Sequence, residues 1–305
     1  MLRYFLSRIV QSFFLLIGVL FITFFMIRLT GDPARVLLAR EASQEQLEAF
    51  REEMGFNRPL YVQFGDYLGG VFTGDLGRSI TFRQPSRDII LERLPPTIQL
   101  SVISLTVAIL IAVPLGILGG SNPGSLVDSV GRIIGLLGQA TPNFWLALLL
   151  IIVFAVKLRW LPSFGRESAA SIVLPAVASA VWPIGSLVRL TRSAVLEIHN
   201  EDYIRTARSK GLSRTAIGAR HIFRNASLVL LSVIGVQFAY VLSGSVYIET
   251  IFAWPGIGNL LNSAIAARDF PLVQAITIFV ATFAVLTNLG VDLLYGVVDP
   301  RIRYS

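Results

Sequence analysis

Long apolar runs alternate with polar segments along the chain. An α-helix rises 1.5 Å per residue, so about 20 apolar residues cover the hydrocarbon core of a bilayer. About six runs reach or approach that length, at residues 9–27, 98–118, 133–156, 172–188, 228–248 and 272–295. The pattern predicts an all-α membrane protein with about six transmembrane helices.

The composition supports this prediction, since 54% of the 305 residues are hydrophobic and only 15% are charged. Soluble domains have about 25% charged residues. Arg3 and Arg8 precede the first run, as in a signal peptide, but the run is too long, lacks an A-x-A-like cleavage site and ends at Arg28. We therefore expect an uncleaved anchor. The chain has no cysteine, which excludes disulfides and thiol catalysis.

The basic residues predict the orientation. With Arg3 and Arg8 in the cytoplasm, six crossings put the segment after the fourth run and the C-terminal tail on the same side. Both are rich in Arg, as the positive-inside rule requires, whereas Lys157 and Arg159 would lie outside. We expect both termini to be cytosolic. The net charge of +7 reflects this orientation and does not indicate nucleic-acid binding.

This orientation divides the chain into regions. We expect a cytosolic stub and first transmembrane helix at 1–29, an extracytoplasmic segment at 30–96, a core of five transmembrane helices at 97–296 with a cytosolic loop at about 195–225, and a cytosolic tail at 297–305.

The extracytoplasmic segment has helix signals of its own. Ser43 followed by Gln46 is a capping box, and Gly55 is suited to a left-handed stop after the first helix. A second helix begins at Pro59 and ends at the turn "TGDLGRS". The pair is interpreted either as a small cap over the bundle or as a dedicated ligand-binding unit.

The most polar interruption separates the fourth and fifth apolar runs. Eight Lys and Arg residues lie between Arg189 and Arg224, and burying them in a bilayer would cost on the order of 20 kcal/mol. Asn200 can cap a short helix there, and Gly211 can end it. A loop that only fixes topology needs no such caps. The signals therefore favour a docking helix over a simple topology signal.

The sequence of this polar segment resembles that of a known protein family. "DYIRTARSKGLS", followed by "RHIFRNA", resembles the signature of inner-membrane permeases of ABC importers of the dipeptide, oligopeptide, nickel and glutathione group, which depend on binding proteins. The resemblance extends along the chain through "MLRYFLSRIVQ", "LTGDPAR", "PLYVQF", "GDLGRS", "ATPNFWLALLL", "AWPGIGNLL", "RDFPLVQA" and "YGVVDPRIRY". It implies a type I ABC importer permease fold in a bacterial inner membrane.

In that family the short helix is a coupling helix that sits in a groove of a cytosolic ATPase. Ala207 and Gly211 match the family motif, whereas Arg205 and Thr206 stand where the general motif has Glu and Ala, as is usual in the peptide branch. Ala207 is small enough for close approach to a partner, and Tyr203 can anchor there. The expected coupling residues are Asp202, Tyr203, Arg205, Thr206, Ala207, Arg208, Lys210, Gly211 and Leu212.

The resemblance also implies partners. The chain contains no phosphate loop of the G-x-x-x-x-G-K-[ST] type, so ATP and Mg²⁺ would bind to other subunits. We expect a non-catalytic permease without a cofactor or metal of its own. Its partners would be a second homologous permease, two cytosolic ATPases, an extracytoplasmic substrate-binding protein and the lipid bilayer, with no nucleic acid.

The cargo is open among dipeptides, oligopeptides, glutathione and nickel. An intramembrane hydrolase is disfavoured, because His199 and His221 lie in the polar interruption and no H-E-x-x-H or G-x-S-x-G motif occurs. An ion-coupled secondary transporter is the alternative class. It usually shows repeated halves with charged or broken helices at mid-membrane, and no internal repeat is evident.

Two further segments are candidates for the transport pathway. Trp254, Pro255, Gly256 and Gly258 would form an outer gate in a partly re-entrant element, as the resemblance implies, or a plain interfacial loop. In the third run, Gln139 and Asn143 flank Pro142, where a kink is expected. These two polar side chains would either face the channel or satisfy the backbone that the proline frees.

Overall fold

A computed structural model of the chain describes residues 2–29, 43–53, 55–213, 217–218 and 224–298. Those residues form helices joined by short connections, apart from one isolated bridge between Arg78 and Pro85. In chain order the helices are α1 Leu2–Leu29, α2 Gln44–Glu53, α3 Leu60–Thr73, α4 Ser86–Ser121, α5 Leu126–Ala140, α6 Asn143–Leu150, α7 Val173–His199, α8 Asp202–Ser209, α9 Arg224–Ile251, α10 Ile257–Ala266 and α11 Phe270–Val298. A π-helical turn, Ile151–Lys157, extends α6.

Most of the predicted spans correspond to long apolar helices. Among the described residues, the stretches long and apolar enough to cross a membrane are Leu6–Phe25, Ser86–Ser121, Ala169–His199 and Phe270–Val291. The broken pair formed by α5 and the extended α6 is a fifth candidate. The predicted run at 228–248 falls within α9, some of whose side chains lie outside the described part. The chain is an all-α, multi-pass membrane protein.

The third predicted run is not one helix. The chain bends by 103° between α5 and α6, at Thr141 and Pro142. Thr141 has extended backbone angles, φ −86° and ψ 120°, because a following proline disfavours the helical region for the residue before it. Pro142 then acts as the N-cap of α6. The kink expected at Pro142 is present, and it is a full helix break.

The structure divides into two compact units. One comprises residues 2–95 and 256–286, and the other comprises residues 96–255 together with the stretch that begins at Thr287. In the second unit, α5 and α7 approach so closely that a Cβ at Gly138 would lie 2.7 Å from the carbonyl oxygen of Val181. Small residues commonly allow such contacts between membrane helices.

The first unit contains the two helices predicted after the anchor. The capping box of α2 is present: the Ser43 backbone N–H donates to Gln46 Oε1 and the Gln46 N–H donates to Ser43 Oγ. Gly55 has a left-handed φ of 67°, as expected after α2. α3 begins after Pro59 and packs on α1, where Phe24 contacts the rings of Phe64 and Tyr67. The predicted helices and their stops are confirmed.

Asp269 joins two segments of the first unit, and it is buried. Its carboxylate accepts hydrogen bonds from the Ser79 hydroxyl and from the backbone N–H groups of Ile80, Thr81 and Leu272. Burial alone would raise the pKa of this carboxyl, but the four hydrogen bonds favour the ionised form and the pKa is lowered. Asp269 thus ties the loop before α4 to the start of α11.

Candidate functional site

The polar interruption folds as predicted into a short helix with a glycine stop. α8 runs from Asp202 to Ser209, and its first turn contains the acidic Asp202. Gly211 has a left-handed φ of 79°, which an L-amino acid with a side chain rarely adopts. The Leu212 N–H donates to the carbonyl of Ala207, which closes the end of the helix. The local sequence therefore determines both the length and the end of α8.

One face of α8 is buried against the chain itself. Ile204 is fully buried and Ala207 is 6% exposed, and both belong to an apolar cluster with Val195 of α7. The cluster also includes Ile217, and Ile117 of α4 packs against it. Ala207 thus faces its own chain, and its role as a contact for a partner stays a prediction. Its small side chain lets α8 lie close to α7, because a larger residue would push the two helices apart.

The opposite face of α8 and the turn that follows it are exposed. Tyr203 and Leu212 are 42% and 38% exposed, and the side chains of Arg205, Thr206 and Lys210 are also exposed. Arg205 lies 3.5 Å from the carboxylate of Asp202, in a solvated pair that contributes little to stability. The side chain of Arg208 lies outside the described part. The exposed face combines one aromatic, one aliphatic and several polar or basic groups.

A buried ion pair lies in the same unit. Asp128, in the first turn of α5, is buried, and its carboxylate accepts hydrogen bonds from Nε and Nη2 of Arg192 in α7. The Gly124 N–H donates to the same carboxylate at 3.0 Å, and Arg132 Nε lies 3.8 Å away. This two-point pairing holds the start of α5 against α7, three residues before Val195. The apolar pattern did not predict this ion pair, although an acidic residue in an apolar helix is a signal of such a pair.

Glycines bring the end of α4 against the same part of α7. A Cβ at Gly116 would lie 2.4 Å from Thr191 Cβ, and one at Gly120 would lie 2.8 Å from Val195. Real side chains do not tolerate such distances, so both positions require glycine for this packing. α4, α5 and α7 are therefore closely joined next to the cluster that holds α8.

A recess opens at the break between α5 and α6. Its volume is about 390 Å³, and Gln139, Asn143, Trp182, Tyr240 and Tyr247 line it. The rings of Trp182 and Tyr240 are stacked with centroids 4.1 Å apart. The carboxamide oxygen of Asn143 has no hydrogen-bond partner among the described residues. The structure thus brings the two sequence-predicted polar residues together with an aromatic wall.

Comparison with known proteins identifies the family. Residues 112–304 match the model of the binding-protein-dependent transport system inner membrane component, and residues 1–101 match that of the N-terminal part of such components. The chain belongs to this family. It is an inner membrane transport component, in agreement with the apolar helices.

Individual relatives cover the whole length of this inner membrane component. The chain is 41% identical to a putative peptide transport system permease protein of Brucella abortus, over 98% of each chain. It is 36% identical to the glutathione transport system permease protein GsiC of Escherichia coli, over 100% of each. A solved structure titled "Inward facing conformations of the MetNI methionine ABC transporter" aligns with a TM-score of 0.57 at 18% identity, covering 69% of this chain and 96% of that one. The fold is that of an ABC importer permease.

The residues of the expected outer gate begin with a buried tryptophan in this inner membrane component. Trp254 is only 1% exposed, and its indole N–H donates to the carbonyl of Pro96 at 2.9 Å. It packs in an apolar core with Leu100, Phe252 and others. A buried indole needs both apolar surroundings and an acceptor, and both are present here.

The neighbours of Trp254 are also covered. Pro255 is half-buried, and Gly256 and Gly258 are buried. Gly256 is the N-cap residue of α10, so this stretch is a connection between helices. A role for these residues in an outer gate stays a prediction.

Proposed function

We propose that the chain is the permease subunit of an ATP-driven importer of small peptides, and that it forms part of the translocation path. The names of the relatives support peptide cargo, and the glutathione permease fits as well, since glutathione is itself a tripeptide. ATP hydrolysis occurs on partner subunits, because the 305 residues contain no phosphate-loop motif.

The observation that carries the proposal is the two-sided character of α8. Its inner face, with Ile204 and Ala207, fixes the helix to the chain's own core. Its outer face, together with the turn that follows the helix, presents Tyr203 and Leu212 among basic and polar groups. An exposed aromatic beside cations is a composition typical of protein interfaces, where Tyr and Arg are enriched. The outer face would seat in a groove of a cytosolic ATPase, with acidic groups of the ATPase opposite Arg205 and Lys210.

The assembly follows from this role. We propose a complex of this chain, a second homologous permease, two cytosolic ATPases and an extracytoplasmic binding protein. α8 and both termini would face the cytosol, as the concentration of Lys and Arg around α8 favours. Closure of the ATPases would displace α8, and the closely joined ends of α4, α5 and α7 would carry that displacement into the membrane.

Reconstitution tests the function. The assembled complex in proteoliposomes should take up radiolabelled trialanine only when ATP is inside with the ATPases and the binding protein is present on the opposite side. Uptake without the ATPases, driven by a proton or sodium gradient, would show a secondary transporter and contradict the proposal. Excess glutathione or Ni²⁺ as competitor distinguishes the alternative cargoes.

The docking role of α8 needs a separate test with a matched control. Tyr203→Ala should reduce co-purification of the ATPases and lower uptake. Tyr61→Ala, which changes a tyrosine of α3 that is 78% exposed, should leave both unchanged. Equal ATPase binding by the two variants would refute docking through the outer face of α8, even if the complex transports peptides.

A further inference from the structure

The recess at the helix break has a distinctive chemistry. None of the described residues that line it carries a charge, yet two carboxamide residues and four aromatic residues do line it. Its volume of about 390 Å³ lies in the lower part of the range of roughly 300 to 1,000 Å³ that small-molecule sites occupy. The recess therefore suits a small ligand that is rich in neutral hydrogen-bonding groups.

The local fold positions the two carboxamides. Gln139 lies in the last turn of α5, where its Cγ would be 3.2 Å from a Cβ added at Gly185, so the close approach of α5 and α7 sets its place. Asn143 is the first residue of α6, just after Pro142. Pro142 has no N–H and cannot donate to the carbonyl four residues before it. The helix break thus brings both side chains to one recess.

One polar atom of a residue that lines the recess is unsatisfied. Asn143 Oδ1 is buried and has no hydrogen-bond partner among the described residues, which is unfavourable for a buried polar atom. Gln139 also makes no side-chain hydrogen bond with a described residue. A carboxamide offers both a donor and an acceptor, as a peptide group does. A ligand with backbone amides offers donors and acceptors that suit both side chains.

We propose that this recess binds the backbone of the peptide cargo: Asn143 and Gln139 pair with its peptide groups, and the Trp182–Tyr240 stack covers its amino-terminal end. The faces of Trp and Tyr rings attract an ammonium group, so the stack suits a free peptide amine. Because none of the described lining residues is charged, the site recognises the backbone and is indifferent to the charge of the cargo side chains. This inference rests on the proposed function.

Uptake by the reconstituted complex tests the proposal with three probes: trialanine, Ala-Lys-Ala and Ala-Glu-Ala. Asn143→Leu keeps a similar size and removes the hydrogen bonds. It should lower the initial rate of uptake about threefold to tenfold, as expected for one lost hydrogen bond. The loss should be the same for all three peptides, and ATPase stimulation by the loaded binding protein should persist. Asn122→Leu, at an exposed asparagine after α4, is the matched control and should stay within twofold.

The aromatic stack has its own matched pair of variants. Trp182→Leu should lower uptake of trialanine at least threefold, and N-acetylated trialanine, which has no ammonium group, should lose less. Trp145→Leu, at an exposed tryptophan of α6 outside the recess, should have no such effect. Wild-type uptake in both Asn143→Leu and Trp182→Leu, or a loss confined to one side-chain charge, would overturn the proposal.

Cross-linking keeps the proposal testable if a variant fails to assemble. Tyr247 lines the recess and is largely exposed, so a photoreactive p-benzoylphenylalanine in its place should cross-link to radiolabelled trialanine during turnover. The same group in place of Leu136, one turn before Gln139 and exposed, should not. Wild-type import without cross-linking at Tyr247 would reject the recess and leave the proposed function intact. Absence of import in the wild type would reject the function itself.

Discussion

Replacement of Ile204 by alanine tests whether α8 is held by its own chain. Ile204 is fully buried in a cluster with Val195, Ala207 and Ile217. Isoleucine-to-alanine changes in a core cost about 2 to 5 kcal/mol. Because α8 is short and one face is exposed, its surroundings can collapse around the cavity, so we expect about 2 to 3 kcal/mol. At about 1.4 kcal/mol per factor of ten, detachment of α8 should become roughly 30 to 150 times more frequent.

Limited trypsin digestion of the isolated chain in lipid nanodiscs measures this change. Arg205 and Lys210 are cleavage sites that both variants retain, and the cleavage rate follows the detached population when reattachment is fast. Ile204→Ala should accelerate cleavage by the factor above without any partner present. Tyr203→Ala, one residue away on the exposed side, should change it less than threefold. Equal rates in the two variants would refute the assignment of inner and outer faces to α8.

Three further predictions concern the rest of the fold. Gly138→Ala should lower the thermal midpoint in detergent, because its Cβ would meet the Val181 carbonyl at 2.7 Å, whereas Gly18→Ala, with no neighbour within 4 Å, should not. Asp128→Asn should lower the free energy of unfolding, measured by urea denaturation, by about 3 to 5 kcal/mol, since it leaves the partly buried Arg192 without its carboxylate partner. Adding Arg192→Met should restore part of this loss. The pKa of Asp269 is lowered in the folded state from its ordinary value near 3.8. The ionised carboxylate therefore stabilises the fold above pH 3.8, and this stabilisation is lost as the pH falls through the folded pKa. Asp269→Asn should flatten the dependence of the thermal midpoint on pH below about pH 4.

The sequence predicted well the features that depend on neighbouring residues. The capping box of Ser43 and Gln46, the left-handed stop at Gly55 and the stop of α8 at Gly211 involve groups only a few positions apart. Their geometry follows from local hydrogen bonding and from the freedom of glycine at positive φ. Tertiary packing did not alter the local structures that these signals predict.

The sequence did not predict features that depend on distant residues. Ala207 faces inward because Val195 and Ile117 come to lie beneath it, and no local pattern reveals them. Trp254 is buried because the carbonyl of Pro96, 158 positions away, accepts its N–H. The start of α4 at Ser86 was also missed, because Pro95 and Pro96 are a strong local signal against a helix interior. In each case, packing against distant residues determined the structure.

Helix α7 contributes to both candidate sites. Val195 belongs to the cluster under α8, Arg192 pairs with Asp128, and Trp182 forms a wall of the recess. Val195 and Trp182 are 13 residues apart, which corresponds to about 20 Å along a helix axis. The close contacts of Gly116 and Gly120 stiffen the half of α7 near α8, whereas Pro183 removes one hydrogen bond beside Trp182. A displacement of α8 would therefore move the tightly packed half of α7 as one rigid segment. α7 would bend most easily at Pro183, beside the recess.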